Sequence, residues 1–251
     1  MTAAATTEAL QTADQSVAMI AAISRMLADL RHVAVGASSP IPASAALLAR
    51  AQTGGRLRIS LLGSAANNPF TDGGKELFDC AAQGRIDAFF LSGGQIDGGA
   101  NINLMGIGSY PSLKARFPGT FGSAYLYHLI PRVILFREEH TPRTLVEKVD
   151  FVSAAGTSPE GTFRVGGPHA LVTGKCVFAF DKAAGRFSLS STHPGVTVSD
   201  VVEATGFAFD CPPEVAETEP LDDTALGLLR GEVAEAVSEI YPQFAGRLAA
   251  I

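Results

Sequence analysis

The 251-residue chain has only three cysteines, Cys80, Cys176 and Cys211, and they are far apart and odd in number. Neither a disulfide framework nor a zinc-ligand spacing follows from them, so reduced, buried thiols are the expectation. Charge is also sparse. Asp, Glu, Lys and Arg make up 18% of the residues and the formal net charge is −6. That balance does not favour nucleic acid as a partner. Long hydrophobic runs are missing as well: no uninterrupted apolar stretch reaches the roughly 18 residues that a membrane-spanning helix needs. The first residues, MTAAATTEALQTADQ, lack the basic start and apolar run of a secretory signal. A cytoplasmic protein without a membrane partner is expected. Hydrophobic residues at 47% exclude disorder and suffice for a large core.

What is present is an alternation of strand and helix signals. Residues 1–8 read as a frayed tail, and a helix starts near Thr12 with Gln15 completing a capping box. Ile20, Ile23, Leu27 and Leu30 share one face. A buried strand at 32–36, a helix over 43–52, a strand at 57–63 and a helix over 74–84 with Leu77, Phe78 and Ala81 inward come next. IDAFFLSGG is apolar throughout, as a strand buried on both faces should be. Further strands are expected at INLMGIG, RVILFRE, EKVDFVS, ALVTGKCVFAFD and RFSLSSTH. Thr197 caps a helix over 198–204 that Gly206 stops, and a closing helix covers 222–238. The fold class expected is α/β: an open, mostly parallel, doubly wound sheet with a β-rich C-terminal portion, as one domain over 1–251.

In open α/β sheets ligands bind beyond the carboxyl ends of the strands. Four segments fall there: Gly36–Pro42, Gly63–Pro69, Gly93–Asn103 and Pro118–Ala124. Glycine at such turns either shapes the chain or lets backbone N–H groups face a carbonyl oxygen or phosphate. In Gly93-Gly94-Gln95-Ile96-Asp97, Gln95 offers donor and acceptor, and Asp97 can hold the turn. Neither a dinucleotide fingerprint nor a phosphate-binding Gly-Lys-Ser/Thr loop occurs. Ser64 follows a strand but lacks the G-x-S-x-G setting of a nucleophile. His32, His128, His140, His169 and His193 show no metal-ligand spacing, so no metal is expected and structural roles fit better. Glu138 and Glu139 read as solvated charges at a strand end.

Four runs, in order over about residues 33–210, resemble the β-type subunit of class I coenzyme A-transferases. GRIDAFFLSGGQIDGGANIN is similar to that family's strand followed by G-A-Q-x-D and G-N-x-N. RFPGTFGSA is similar to P-G-x-G-G-A, PRTLVEKVDFVSAAG to R-x-F-V-x-K-V-D-F, and HPGVTVSDVVEATGF to H-P-G-V-T-x-x-x-V-x-x-x-T-G-F. The resemblance implies a CoA-transferase-type fold, an α-type partner subunit in an α2β2 assembly, and an acyl-CoA thioester as substrate. It places Phe121, Gly122, Ser123 and Ala124 near the thioester, with Gly122 and Ser123 as oxyanion-site candidates, and Gly94 and Gln95 as CoA- or substrate-side contacts. Such donors would stabilise the negative oxygen that thioester chemistry develops.

The departures from the pattern matter as much. Where the family carries its glutamate nucleophile, this chain has Leu62-Gly63-Ser64-Ala65, and no Asp or Glu occurs from Leu57 to Thr71. Phe121 stands at the first glycine of G-G-A. Ser64 is a weak replacement, because no base is visible beside it. Family members without the glutamate imply acyl-CoA hydrolysis, including ring-opening carbon–carbon cleavage, or acyl-CoA decarboxylation, with the carboxylate of ring-opening members on the α-type partner. Genuine CoA transfer and a non-catalytic acyl-CoA-binding subunit are the alternatives. A sugar-phosphate isomerase is a third reading, for which no acid/base set is found.

Overall fold

A computed structural model describes the backbone over residues 3–251 and the side chains from residue 15 onward. In chain order the elements are α1 (Ala3–Leu27), β1 (His32–Val35), α2 (Pro40–Gln52), β2 (Arg58–Leu61), α3 (Gly73–Ala82), β3 (Ala88–Leu91), β4 (Gln95–Ile96), β5 (Ile102–Asn103), β6 (Gly106–Ile107), β7 (Ala115–Arg116) and α4 (Ser123–Leu129). There follow β8 (Arg132–Arg137), β9 (Pro168–Thr173), β10 (Cys176–Asp181), β11 (Arg186–Thr192), α5 (Val198–Ala204), β12 (Ala216–Glu217), α6 (Asp223–Leu228), a π-helical turn (Leu229–Val233), α7 (Ala234–Ser238) and α8 (Pro242–Ala249). They fall into two compact units, one up to Leu77 together with Thr218–Ile251, the other Phe78–Glu217.

In the first unit β1 and β2 pair in parallel, Val33 opposite Ile59 and Val35 opposite Leu61. All four residues of β1 are buried, which explains its apolar run Val33–Val35, and the buried His32 at its start is satisfied by Ser60 Oγ. Helix α2 packs on α1 and α7. Its alanines allow close approach, and Ile41, Leu47 and Leu48 fill the remaining space. On α1, Met19, Ile20, Ile23 and Leu27 are fully buried. Each such side chain contributes about 1.5–3 kcal/mol relative to exposure.

In the second unit β3, β8 and β9 run parallel, and β9, β10 and β11 form an antiparallel meander. The expected β-rich C-terminal portion is this meander. Its core is a phenylalanine cluster: Phe178 lies 4.9 Å from Phe209 and 5.9 Å from Phe187 between ring centroids. Thr197 caps α5 as expected, its hydroxyl accepting from the Asp200 N–H while the Asp200 carboxylate accepts from the Thr197 N–H.

Several sequence expectations are corrected. Helix α1 begins at Ala3, not near Thr12; the alanine-rich run has enough intrinsic helix propensity to continue upstream. The proposed capping side chain of Thr12, and Met1 and Thr2 of the proposed tail, lie outside the described residues. Helix α2 starts at Pro40 rather than 43, because proline at the first turn loses no intrahelical bond. EKVDFVS is not a strand: the N–H groups of Val149 and Asp150 go to the Asp97 and Gln95 side chains rather than to a ladder. INLMGIG splits into β5 and β6, since Asn103 Oδ1 accepts from the N–H of Met105 and Gly106 and bends the chain. Only Cys176 of the three thiols is buried; Cys80 is half-buried and Cys211 exposed. Glu139 is not a free solvated charge, because it accepts from Arg143, Arg137 and Thr141.

Candidate functional site

The turn after β2 is where the sequence lacks a carboxylate, and the fold brings one there. Gly63 takes φ +94°, a left-handed conformation that costs glycine little. The chain then reverses, and Ser64 is buried. Its hydroxyl donates to Glu239 Oε2 at 2.6 Å and accepts from the Asn67 N–H at 2.8 Å. The Ala65 N–H donates to Glu239 Oε1 at 2.5 Å. Bonding from the Ser64 hydroxyl first, then from the Ala65 N–H, holds the Glu239 carboxyl below its ordinary value. Glu239 follows α7 directly, and no local signal in residues 57–71 announces it. In the same unit the Gly36–Pro42 turn is tied by the Ser39 N–H, which donates to the Tyr241 hydroxyl at 3.1 Å.

The other candidates lie in the second unit. At Gly94 the Phe117 ring lies so close that a Cβ would stand 2.2 Å from it and force the ring to shift. Gln95 is buried and turned inward, its side-chain oxygen accepting from Asn103 Nδ2 at 2.7 Å and the Asp150 N–H at 2.9 Å. Asp97 holds its turn as expected, accepting from the N–H groups of Gly99 and Asn101.

The Phe121–Ala124 stretch precedes and opens α4. Phe121 is 71% exposed and sits at φ +43°, and Gly122 follows at φ +91°. A Cβ on Gly122 would lie 2.4 Å from the Phe78 ring, so backbone and ring are in close contact. Phe78 is 5.6 Å from both Phe121 and Tyr125, giving an aromatic cluster with two exposed members. The Ser123 N–H and hydroxyl both donate to the Thr120 carbonyl. Among the described residues, the Gly122 and Ala124 N–H groups meet no protein acceptor. Tyr127 points into the core, its hydroxyl donating to the Ala100 carbonyl at 2.9 Å. Burial pushes its pKa far up.

The histidines serve the fold. His32 Nε2 bonds Ser60 Oγ at 2.7 Å, and His193 Nε2 donates to the Thr173 carbonyl at 2.8 Å. His140 lies between Thr173 Oγ1 and Thr205 Oγ1. Among the described residues no group of three or more His, Cys, Asp or Glu could hold a metal ion. None of their helices is long and apolar enough to cross a membrane.

Residues 15–204 match the family model described as Coenzyme A transferase. Over 154 residues the chain is 35% identical to the β-type subunit of the 3-oxoadipate CoA-transferase of Pseudomonas knackmussii, covering 59% of this chain and 58% of that protein. Over 160 residues it is 29% identical to the cholesterol ring-cleaving hydrolase IpdB subunit of Rhodococcus jostii, covering 62% of each. The matched stretch therefore spans less than two thirds of either relative. The crystal structure of Rhodococcus jostii IpdAB superposes with a TM-score of 0.74 at 26% identity, covering 88% of this chain and 93% of that one. With the family model matched over most of its length, and an α/β fold of the same kind, the chain belongs to the coenzyme A transferase family.

Proposed function

We propose that this chain is the β-type subunit of a two-subunit enzyme acting on an acyl-CoA thioester, working by hydrolysis or carbon–carbon cleavage rather than CoA transfer. The observation that carries the reading is the turn Leu62–Ala65. It has no carboxylate of its own, and the one that reaches it is already engaged on both oxygens. A carboxylate held ionised by two donors is a poor proton acceptor and a poor nucleophile. The reacting acid/base group is therefore assigned to an α-type partner in an α2β2 assembly. This chain contributes pocket walls and donors. Within Phe121–Ala124, the unengaged N–H groups of Gly122 and Ala124 are assigned as donors to the developing oxyanion, and Ser123 as the residue that shapes the turn.

Relatives support both chemistries, since one is named a CoA-transferase subunit and the other a ring-cleaving hydrolase subunit. The Glu239 carboxylate beside Ser64 favours a second reading, genuine CoA transfer with Glu239 replacing the family's glutamate. The test is co-expression with an α-type chain and assay of acyl-CoAs with and without an acceptor acid. Consumption of the acyl-CoA without an acceptor, unaltered in rate by one, is the expected result; free CoA appears if the thioester is hydrolysed, and a CoA thioester of altered mass if a carbon–carbon bond is cleaved. CoA release that requires an acceptor, with a CoA adduct on Glu239 found by mass spectrometry, would establish the second reading instead.

A further inference from the structure

A cavity of about 270 Å³ in the second unit is lined by Thr157, Ser158, Thr162, Arg164 and Lys182, together with the backbone around Gly166. No Asp or Glu lines it. The nearest carboxylates in sequence are Glu160, which is exposed and not among the lining residues, and Asp181, whose Oδ1 accepts from the N–H groups of Ala183 and Ala184. The cavity thus holds two cations and three hydroxyls with no anion among them.

Arg164 is fixed before any ligand arrives. Its Nε donates to the Gly166 carbonyl, and its Nη2 to the carbonyls of Tyr127 and Ala155. Its guanidinium carbon lies 5.2 Å from the Tyr127 ring centroid. Nη1 donates to Ser158 Oγ at 3.2 Å, which leaves a second Nη1 hydrogen and the Ser158 hydroxyl hydrogen open. Lys182 makes one 3.3 Å bond to the Pro131 carbonyl and retains two ammonium hydrogens. Burial first, and the Arg164 charge second, pull the Lys182 pKa below the ordinary lysine value. Two cations that disfavour each other and face hydroxyl donors are relieved by one ligand of double negative charge.

We propose that this cavity binds a phosphate monoester dianion. Two positive charges match its charge, and the open donors match its three acceptor oxygens; a carboxylate has one charge and two oxygens. The volume exceeds a bare phosphate and leaves room for an attached organic group. On the acyl-CoA reading given above, the 3′-phosphate of CoA supplies the group; free inorganic phosphate is the other source.

The test is isothermal titration of the full chain in phosphate-free, low-salt buffer with inorganic phosphate, CoA and dephospho-CoA. Saturable phosphate binding is expected, weakened by about tenfold or more in Lys182→Glu and less in Ser158→Ala. Lys148→Glu, an exposed lysine outside the lining, should bind as wild type does. Urea unfolding of Lys182→Glu checks that the fold is kept. CoA binding tighter than dephospho-CoA, with the difference lost in Lys182→Glu, identifies the coenzyme as the source. Phosphate binding without that difference keeps the site and assigns it to free phosphate, leaving the thioester assay to judge the acyl-CoA reading separately. Absence of saturable phosphate binding, or equal binding by Lys182→Glu, overturns the proposal.

Discussion

Ser64 and Glu239 are 175 residues apart in sequence, yet the Ser64 hydroxyl donates to the Glu239 carboxylate at 2.6 Å. The pair closes the turn after β2 on the end of α7. It also carries a pH dependence. Glu239 is held below the ordinary glutamate value of 4.5, chiefly by the Ser64 hydroxyl. The unfolded chain therefore binds this proton first. The stability contributed by the ionised group is present above pH 4.5 and is lost as pH falls through the lower folded value. Glu239→Gln should lower the urea midpoint at pH 7 and converge on wild type as the pH falls below the lowered folded value. Parallel curves at all pH values would show that the carboxylate does not hold the turn. In the co-expressed enzyme, loss of acyl-CoA turnover out of proportion to stability would point to Glu239 as a reacting group.

Gly122 is constrained twice, by φ +91° and by the Phe78 ring 2.4 Å from where a Cβ would stand. Gly119 has φ +110° with nothing within 4 Å. Gly119→Ala should cost only the backbone strain, about 1 kcal/mol, whereas Gly122→Ala should cost about 1–3 kcal/mol more through displacement of the ring. Equal losses in denaturant unfolding would mean that Phe78 moves aside freely. If the Gly122 N–H faces the thioester oxygen, Gly122→Ala also lowers kcat of the assembled enzyme more than it raises KM.

How far these features are legible in the sequence depends on the range of the signal. Strand β3 and the Val33–Val35 part of β1 announce themselves as apolar runs because every residue in them is buried. The Thr197–Asp200 cap is readable because both partners lie within one turn. The glycines at 94 and 122 stand out in the sequence, but Phe117 and Phe78, the rings that pack against them, do not. Helix α4 gives no sign of itself, because it starts from a left-handed glycine with no side-chain cap. EKVDFVS has the composition of a strand, and its N–H groups are instead taken by side chains some 50 positions upstream. Glu239 belongs to the same class of event, a long-range partner that no window in the sequence contains.

The family resemblance implies a substrate-side role for Gln95, whereas the structure turns its side chain inward. Its side-chain oxygen satisfies the Asp150 N–H and Asn103 Nδ2 together. Gln95→Ala removes an acceptor from two donors, and each donor left unsatisfied when buried costs about 1–3 kcal/mol. A loss of about 2–4 kcal/mol in chemical unfolding is expected for the chain alone, with no ligand present. An unaltered midpoint would show that the residue is free to serve a ligand instead.

His140 gives the strongest acid sensitivity in the second unit. Burial, followed by the nearby charges of Lys175 and His193, lowers its pKa from 6.5 to about 4. It therefore stays neutral in the folded chain, bonded by Thr173 Oγ1 at 2.7 Å and Thr205 Oγ1 at 2.9 Å. The unfolded chain takes up a proton as pH falls through 6.5 and the folded chain resists until about 4. The unfolded state binds more protons in that window, so stability falls with falling pH, by about 3 kcal/mol for this group. His193, which bonds the Thr173 carbonyl, is also lowered by burial and adds a loss in the same direction. His140→Gln keeps a polar side chain between the two threonines but cannot titrate. Its unfolding free energy, measured from pH 7 to 4, should decline less steeply than that of wild type, retaining only the share that belongs to His193 and the carboxylates. An identical slope in the two proteins would mean that His140 already protonates in the folded chain near its ordinary value.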